Sequence, residues 1–160
     1  MGAHLIYGAN GFTGELTARE AHRRGQKPIL AGRREEPVRA LAEELGLEWR
    51  VASLGTPEEV DTLLDGVDVV LHCAGPFSAT SKPMVDACLR TQTHYLDITG
   101  EMGVFREVFS RNDEAKAAGI VLIPGAGFDV VPTDCMAAML REKLPSATHL
   151  ELAFAGLGSI

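Results

Sequence analysis

Glycines at positions 8, 11 and 14 follow directly on a short apolar run in the stretch IYGANGFTGE, residues 6–15. Where a strand turns into a helix, the first such glycine frees the turn and the second lets backbone approach a pyrophosphate. The third lets the helix pack close to the strand. Free N–H groups and the helix dipole then favour the phosphate charge. Asn10 and Thr13 add side-chain donors in the same turn. Glycines at this spacing also make ordinary turns, so the preceding strand and following helix decide for a phosphate cradle.

The next chemically loaded position is Gly32-Arg33-Arg34, at the end of the second apolar run. An acidic side chain there binds the ribose 2′-hydroxyl of a dinucleotide, whereas arginine accommodates a 2′-phosphate. One charge-assisted hydrogen bond contributes about 1.5 to 3 kcal/mol, a preference of roughly 10- to 100-fold. Arg33 and Arg34 therefore point to NADP(H) over NAD(H). The alternative is that both are a solvated approach to the next helix, with Glu35 or Glu36 turning back to a ribose.

Hydride transfer needs no protein nucleophile, because the cofactor carries the hard step and protein groups orient the ring and handle a proton. Asp97, Glu101 and Asp129 are the carboxylates available near strand ends. Glu101 and Asp129 are candidates for acid/base roles if burial raises their pKa values. Each also has a structural reading: Asp129 as a cap on the helix entering at Pro132, Asp97 on loop N–H groups, Glu101 near a helix N-terminus. The histidines are scattered, and His72, inside an apolar strand, reads as a core residue. Cys73, Cys88 and Cys135 are far apart, with no C-x-x-C pair and no histidine at ligand spacing. They read as reduced thiols, and no metal site is expected.

The elements that must position these residues alternate along the chain. Strands are expected over AHLIYGA, PILAGR, LEWRVAS, DVVLHCA, THYLDI and IVLIPGA. Helices are expected over TGELTAREAHRR, EPVRALAEEL, PEEVDTLL, KPMVDACLR, GVFREVFSRNDEAKAA and VPTDCMAAMLREKL. Gly25, Gly46 and Gly119 read as helix stops, and Thr56-Pro57-Glu58-Glu59 as a capped helix start. The nearly continuous apolar run DVVLHCA suits a strand in mid-sheet. Strands alternating with helices in this way predict an α/β fold, a Rossmann-type doubly wound parallel sheet with helices on both faces. Ligands in such sheets bind outside the carboxyl ends of the strands. The loops AGPFSATSKP, DITGEM and PGAGFDVVPTD fall on that rim. Gly75 and Pro76 would let backbone pass near a nicotinamide ribose, and Phe77 would pack on the ring or its pyrophosphate.

The length of 160 residues and a hydrophobic content of 46% suit one domain with a proper core. A formal charge of −7 argues against a nucleic-acid or acidic-membrane surface, and no run approaches the roughly 18 apolar residues of a membrane span. The chain reads as cytoplasmic. The last segment, THLELAFAGLGSI, alternates like a strand without a partner. It divides the chain into a dinucleotide-binding domain over 1–146 and, over 147–160, the start of a second domain. That unpaired strand would also offer an edge for a homodimer.

The motifs GANGFTG, AGR, CAGPF, YLDITGE and GFDVVPTD, in this order and spacing, resemble the NADP-binding N-terminal half of the saccharopine dehydrogenase-like oxidoreductases, and among them the trans-acting enoyl reductase branch. The resemblance covers essentially the whole chain. It implies a Rossmann domain followed by a substrate and dimerisation domain, entered around residues 146–160. It also implies that Gly8, Asn10, Gly11, Phe12, Thr13, Gly14 and Arg33 hold the adenine half of the cofactor. Ala74, Gly75, Pro76 and Phe77 would face the nicotinamide ribose. The family often has aspartate near the end of strand three to meet adenine, where this sequence has Ser53-Leu54. The small-molecule substrate would be bound by the second domain, so no substrate residues carry over.

Two other readings stay open. Short-chain dehydrogenases share the glycine spacing but use a Tyr-x-x-x-Lys pair; here Tyr7 is followed at that spacing by Gly11, and Tyr95 by Thr99. A non-enzymatic module sensing NADP(H) would need no further domain.

Overall fold

Successive residues of each apolar run face opposite sides of one sheet. Leu5, Tyr7, Ile29, Ala31, Val70 and Tyr95 belong to one core cluster, and Ile6, Ala9 and Leu30 to another on the other face. The period-2 alternation of strand side chains thus builds two cores from the same strands. The computed structural model describes residues 2–128 and 130–153. Its strands are β1 (His4–Tyr7), β2 (Ile29–Gly32), β3 (Trp49–Val51), β4 (Val69–His72), β5 (His94–Asp97) and β6 (Leu122–Ile123). The helices are α1 (Phe12–Arg23), α2 (Glu35–Leu45), α3 (Pro57–Leu63), α4 (Phe77–Thr91), α5 (Met102–Ser110), α6 (Asn112–Ala118) and α7 (Val131–Lys143).

All strand pairs are parallel, in the order β3-β2-β1-β4-β5-β6. This is the doubly wound Rossmann-type sheet expected from the alternation. The winding reverses between β1 and β4, where Leu5 pairs with Val70 and Tyr7 with His72. The carboxyl ends of β1 and β4 therefore flank the crevice in which such sheets bind ligands. β4 lies mid-sheet as expected, yet Val69 and Leu71 are only half-buried, whereas Val70 and His72 are buried. Among the described residues α7 buries no side chain.

Helix ends follow their sequence signals. Gly46 and Gly119 are left-handed C-caps at φ 64° and 72°. The Thr56 hydroxyl accepts the Glu59 N–H at 3.3 Å, starting α3. In three places the elements differ from expectation. α4 begins at Phe77 instead of Lys82 and runs through Pro83, because its first turn is capped from a distant loop. The long helix expected over 103–118 is two helices, divided at Arg111, whose guanidinium bonds both Asp86 and Glu114. The last segment forms no strand through residue 153, and the rest of it lies outside the described residues.

Candidate dinucleotide site

The glycine turn is built by close approach. Gly8 has φ +82°, and a Cβ there would stand 2.9 Å from the Ala74 nitrogen, so the turn and the end of β4 pack backbone to backbone. The N–H groups of Gly8 and Ala9 both reach the Ala31 carbonyl, at 2.8 and 3.0 Å. A Cβ on Gly14 would fall on the Gly8 carbonyl oxygen, which is how α1 lies tight against β1. Gly11 is different. Its φ of −87° suits any residue, and an added Cβ would meet only the Gly8 carbonyl at 3.3 Å.

No side chain caps the N-terminus of α1. Its first-turn N–H groups have no intrahelical partner and carry the positive end of the helix dipole. They open beside a cleft of about 290 Å³ between the ends of β1, β2 and β4. Of the residues expected to hold cofactor, Gly8, Asn10, Gly11, Arg33, Arg34, Ala74 and Gly75 line that cleft. The fold does not bring Phe12, Thr13, Gly14, Pro76 or Phe77 to its wall. Phe12 is 84% exposed, and Gly14 is buried behind the turn. Phe77 turns inward, edge-on to the His72 ring at 5.3 Å. Arg33 and Arg34 are exposed and make no hydrogen bond or ion pair with another described residue. A phosphate at the α1 turn and a second on the ribose would thus meet uncommitted donors. The donor set fits NADP(H).

Sequence reasoning did not place Tyr7, Gly32, Cys73, Thr80, Ser53 or Leu54 on the cleft wall. Their signal was available: Tyr7 and Cys73 immediately precede Gly8 and Ala74, and Gly32 precedes Arg33. A Cβ on Gly32 would lie 3.0 Å from Asn10 Oδ1, so this glycine makes room for Asn10. The Tyr7 hydroxyl donates to the Ala52 carbonyl at 2.8 Å, and burial pushes its pKa up to about 12. Burial likewise raises the Cys73 thiol to about 12, so neither group ionises near neutrality.

Below the cleft, His72 is buried and pairs its Nε2 with Thr80 Oγ1 at 2.9 Å. The Thr80 hydroxyl lies 2.7 Å from the Ala74 carbonyl and fixes the loop that leaves β4. Burial holds the His72 pKa down to about 3, so the ring is neutral, as a core histidine should be. Its Nδ1 has no partner among the described residues.

Asp97 and Glu101 take the structural roles open to them. Buried Asp97 accepts the Tyr95 hydroxyl at 2.6 Å and the N–H groups of Thr99 and Gly125 at 3.0 and 2.8 Å, tying β5 to the turn after β6. Glu101 accepts the N–H groups of Phe77 and Ser78, at 2.7 and 2.9 Å. Hydrogen bonding from Ser78 first, then from the Phe77 N–H, lowers its pKa and keeps it ionised. Asp129 lies outside the described residues. Among the described residues there is no cluster of metal-ligating side chains, and no helix is long and apolar enough to cross a membrane.

The model of the saccharopine dehydrogenase NADP binding domain matches residues 4–123 of this chain. The trans-acting enoyl reductase of Mycobacterium leprae (strain TN) is 36% identical over 148 residues, which cover 88% of this chain and 35% of that protein. The saccharopine dehydrogenase-like oxidoreductase of Homo sapiens is 27% identical over 161 residues, covering 88% of this chain and 37% of that one. The chain thus spans about a third of the length of these curated relatives. Among solved structures, apo histidine-tagged saccharopine dehydrogenase (L-Glu forming) from Saccharomyces cerevisiae shares the fold. Its TM-score is 0.78 at 20% identity, over 91% of this chain and 32% of that chain.

Proposed function

Because the chain belongs to the saccharopine dehydrogenase family through its NADP-binding domain, we propose that its own residues bind and orient NADP(H) for hydride exchange with a small-molecule substrate held elsewhere in the protein. The observation that carries this reading is the uncapped N-terminus of α1, opening on the same cleft as two uncommitted arginines. When bound, the cofactor supplies or accepts the hydride. The chain's part is to hold it. The N–H groups at the start of α1 take the pyrophosphate, with Gly8 and Gly11 giving it close approach. Arg33, with Arg34 beside it, takes the ribose 2′-phosphate. The Ala74-Gly75 backbone, fixed from behind by Thr80 and His72, forms the wall for the nicotinamide ribose.

The domain boundary falls near residue 146 in this proposal, and the segment from 147 leads to a substrate-binding and dimer-forming domain. The match over 4–123 and the absence of buried side chains in α7 support it. We read the protein as cytoplasmic; the acidic charge and unpaired thiols support that placement. Calorimetric titration of NADPH and NADH into the purified chain and its Arg33→Ala variant tests the cofactor assignment. NADPH is expected to bind roughly 10- to 100-fold more tightly, and Arg33→Ala to remove most of that preference. Equal binding of the two dinucleotides, or none, would overturn it.

A further inference from the structure

The backbone after β4, on the cleft wall, is held by a single hydroxyl proton. Thr80, in the first turn of α4, places its Oγ1 2.7 Å from the Ala74 carbonyl and 3.1 Å from that of Pro76. A bond to a carbonyl four residues back is common for a helical threonine. The shorter bond, to Ala74, reaches outside the helix. A hydroxyl has one proton to give, and here the carbonyls take it. Toward His72 Nε2, at 2.9 Å, the Thr80 oxygen therefore accepts, so His72 carries its proton on Nε2. The far side of the ring agrees, because Nδ1 is buried and has no partner among the described residues. The opposite tautomer would strand a donor in the core and draw the Thr80 proton off the Ala74 carbonyl. The rings of Tyr7 and Phe77, at 5.5 and 5.3 Å, pack the imidazole into this position. Carbonyl and N–H of a trans peptide point in opposite directions. With its carbonyl tied to Thr80, the Ala74-Gly75 plane turns the Gly75 N–H the other way. That N–H has no partner among the described residues, and Gly75 is exposed on the cleft wall.

We propose that His72, as its Nε2-protonated tautomer, and Thr80 are positioning residues for the nicotinamide half of the cofactor alone: His72 orients the Thr80 hydroxyl, and Thr80 sets the Ala74-Gly75 plane. The proposal rests on the NADP(H) reading above. A merely structural pair would weaken the fold, and with it the grip on both halves of the cofactor. A positioning pair is felt by one half only, because Arg33 and the α1 turn stand on other loops.

The test titrates two ligands by calorimetry: NADPH, and adenosine 2′,5′-bisphosphate, which carries the adenine half without the nicotinamide. The proteins are the purified wild-type chain and its Thr80→Val, Thr80→Ser, His72→Leu and His72→Gln variants, with thermal melts to monitor folding. Thr80→Val keeps the shape and removes the hydroxyl. It is expected to weaken NADPH roughly 3- to 10-fold, the range of one neutral hydrogen bond, and to leave the bisphosphate unchanged. Thr80→Ser restores NADPH binding. His72→Leu, which leaves no buried donor behind, carries the same test if Thr80→Val fails to fold, and His72→Gln, whose amide brings an N–H back toward Thr80, recovers the loss. Nitrogen NMR of the wild-type imidazole is expected to show Nε2 protonated and Nδ1 bare. A proton on Nδ1, equal losses for both ligands, undiminished NADPH binding in the Val and Leu variants, or failure of both rescues would overturn the positioning role and leave the cofactor site standing. If neither ligand binds the wild type, the cofactor reading itself fails, and the positioning role with it.

Discussion

One oxygen of Glu101 accepts the Phe77 N–H at 2.7 Å and the other the Ser78 N–H at 2.9 Å, so the loop after β5 caps the helix that follows β4. The helices that follow β1 and β4 flank the ligand crevice, and they differ in this respect. α4 has its anion built in, whereas α1 has no side-chain cap. Of these two helices, α1, the one with the glycine turn, leaves its N-terminus open to an incoming phosphate. The same bond pins the rim loop carrying Ala74 and Gly75 to the neighbouring loop.

Replacing Glu101 should uncouple those loops and reveal itself by pH. The Glu101 carboxyl is held below its ordinary value of 4.5 in the folded chain. A depressed acid stabilises the fold fully above that ordinary value and loses its contribution as pH falls through the folded pKa. Glu101→Ala is expected to melt below the wild type at pH 7, with the gap narrowing as the pH drops below 4.5. Thermal melts across that range check this; a gap independent of pH would contradict it.

The glycines of the turn should separate into structural and ligand-facing positions. Gly14→Ala drives a methyl into the Gly8 carbonyl and should destabilise the chain by roughly 1 to 3 kcal/mol, the range for overpacking. Gly11→Val meets only one atom at 3.3 Å in a backbone conformation that valine tolerates. It should keep the fold, at a small loss from a poorer N-cap, and abolish NADPH binding. Chemical denaturation and calorimetry on the two variants distinguish these outcomes.

His72 makes the fold acid-sensitive. Burial lowers its folded pKa from 6.5 to about 3. Between those values the unfolded chain binds a proton that the folded chain refuses, so stability falls as pH falls. Relative to His72→Leu, the wild type should lose roughly 1.4 kcal/mol per pH unit across this window. Denaturation midpoints measured between pH 7 and 4 read the difference; parallel curves would contradict a buried neutral imidazole.

Local signals in the sequence carried much of this fold. The apolar runs mark β1 and β2 most clearly, because a strand inside a parallel sheet is covered on both faces, whereas the edge strand β3 leaves Trp49 and Val51 exposed. Gly46 and Gly119 stop their helices because only a left-handed residue lets the chain turn there. Gly8, Asn10, Gly11 and Arg33 were legible as a site because strand, turn and helix are contiguous. What escaped depends on residues distant in sequence. The start of α4 is set by Glu101, 24 residues away from Phe77. The break at Arg111 is accompanied by its bond to Asp86, 25 residues back. Phe77 was expected on the cleft, and the packing of its ring against His72, a core contact no local pattern encodes, takes it inside instead.

The central claim is that the α1 turn holds the dinucleotide's phosphates. Titrating NADPH into isotope-labelled protein and following backbone amide resonances tests it directly. The largest shifts are expected at Gly11, Phe12, Thr13 and Gly14, with further shifts at Arg33, Ala74 and Gly75. Saturable binding that leaves the amides of residues 11–14 unmoved would contradict the account.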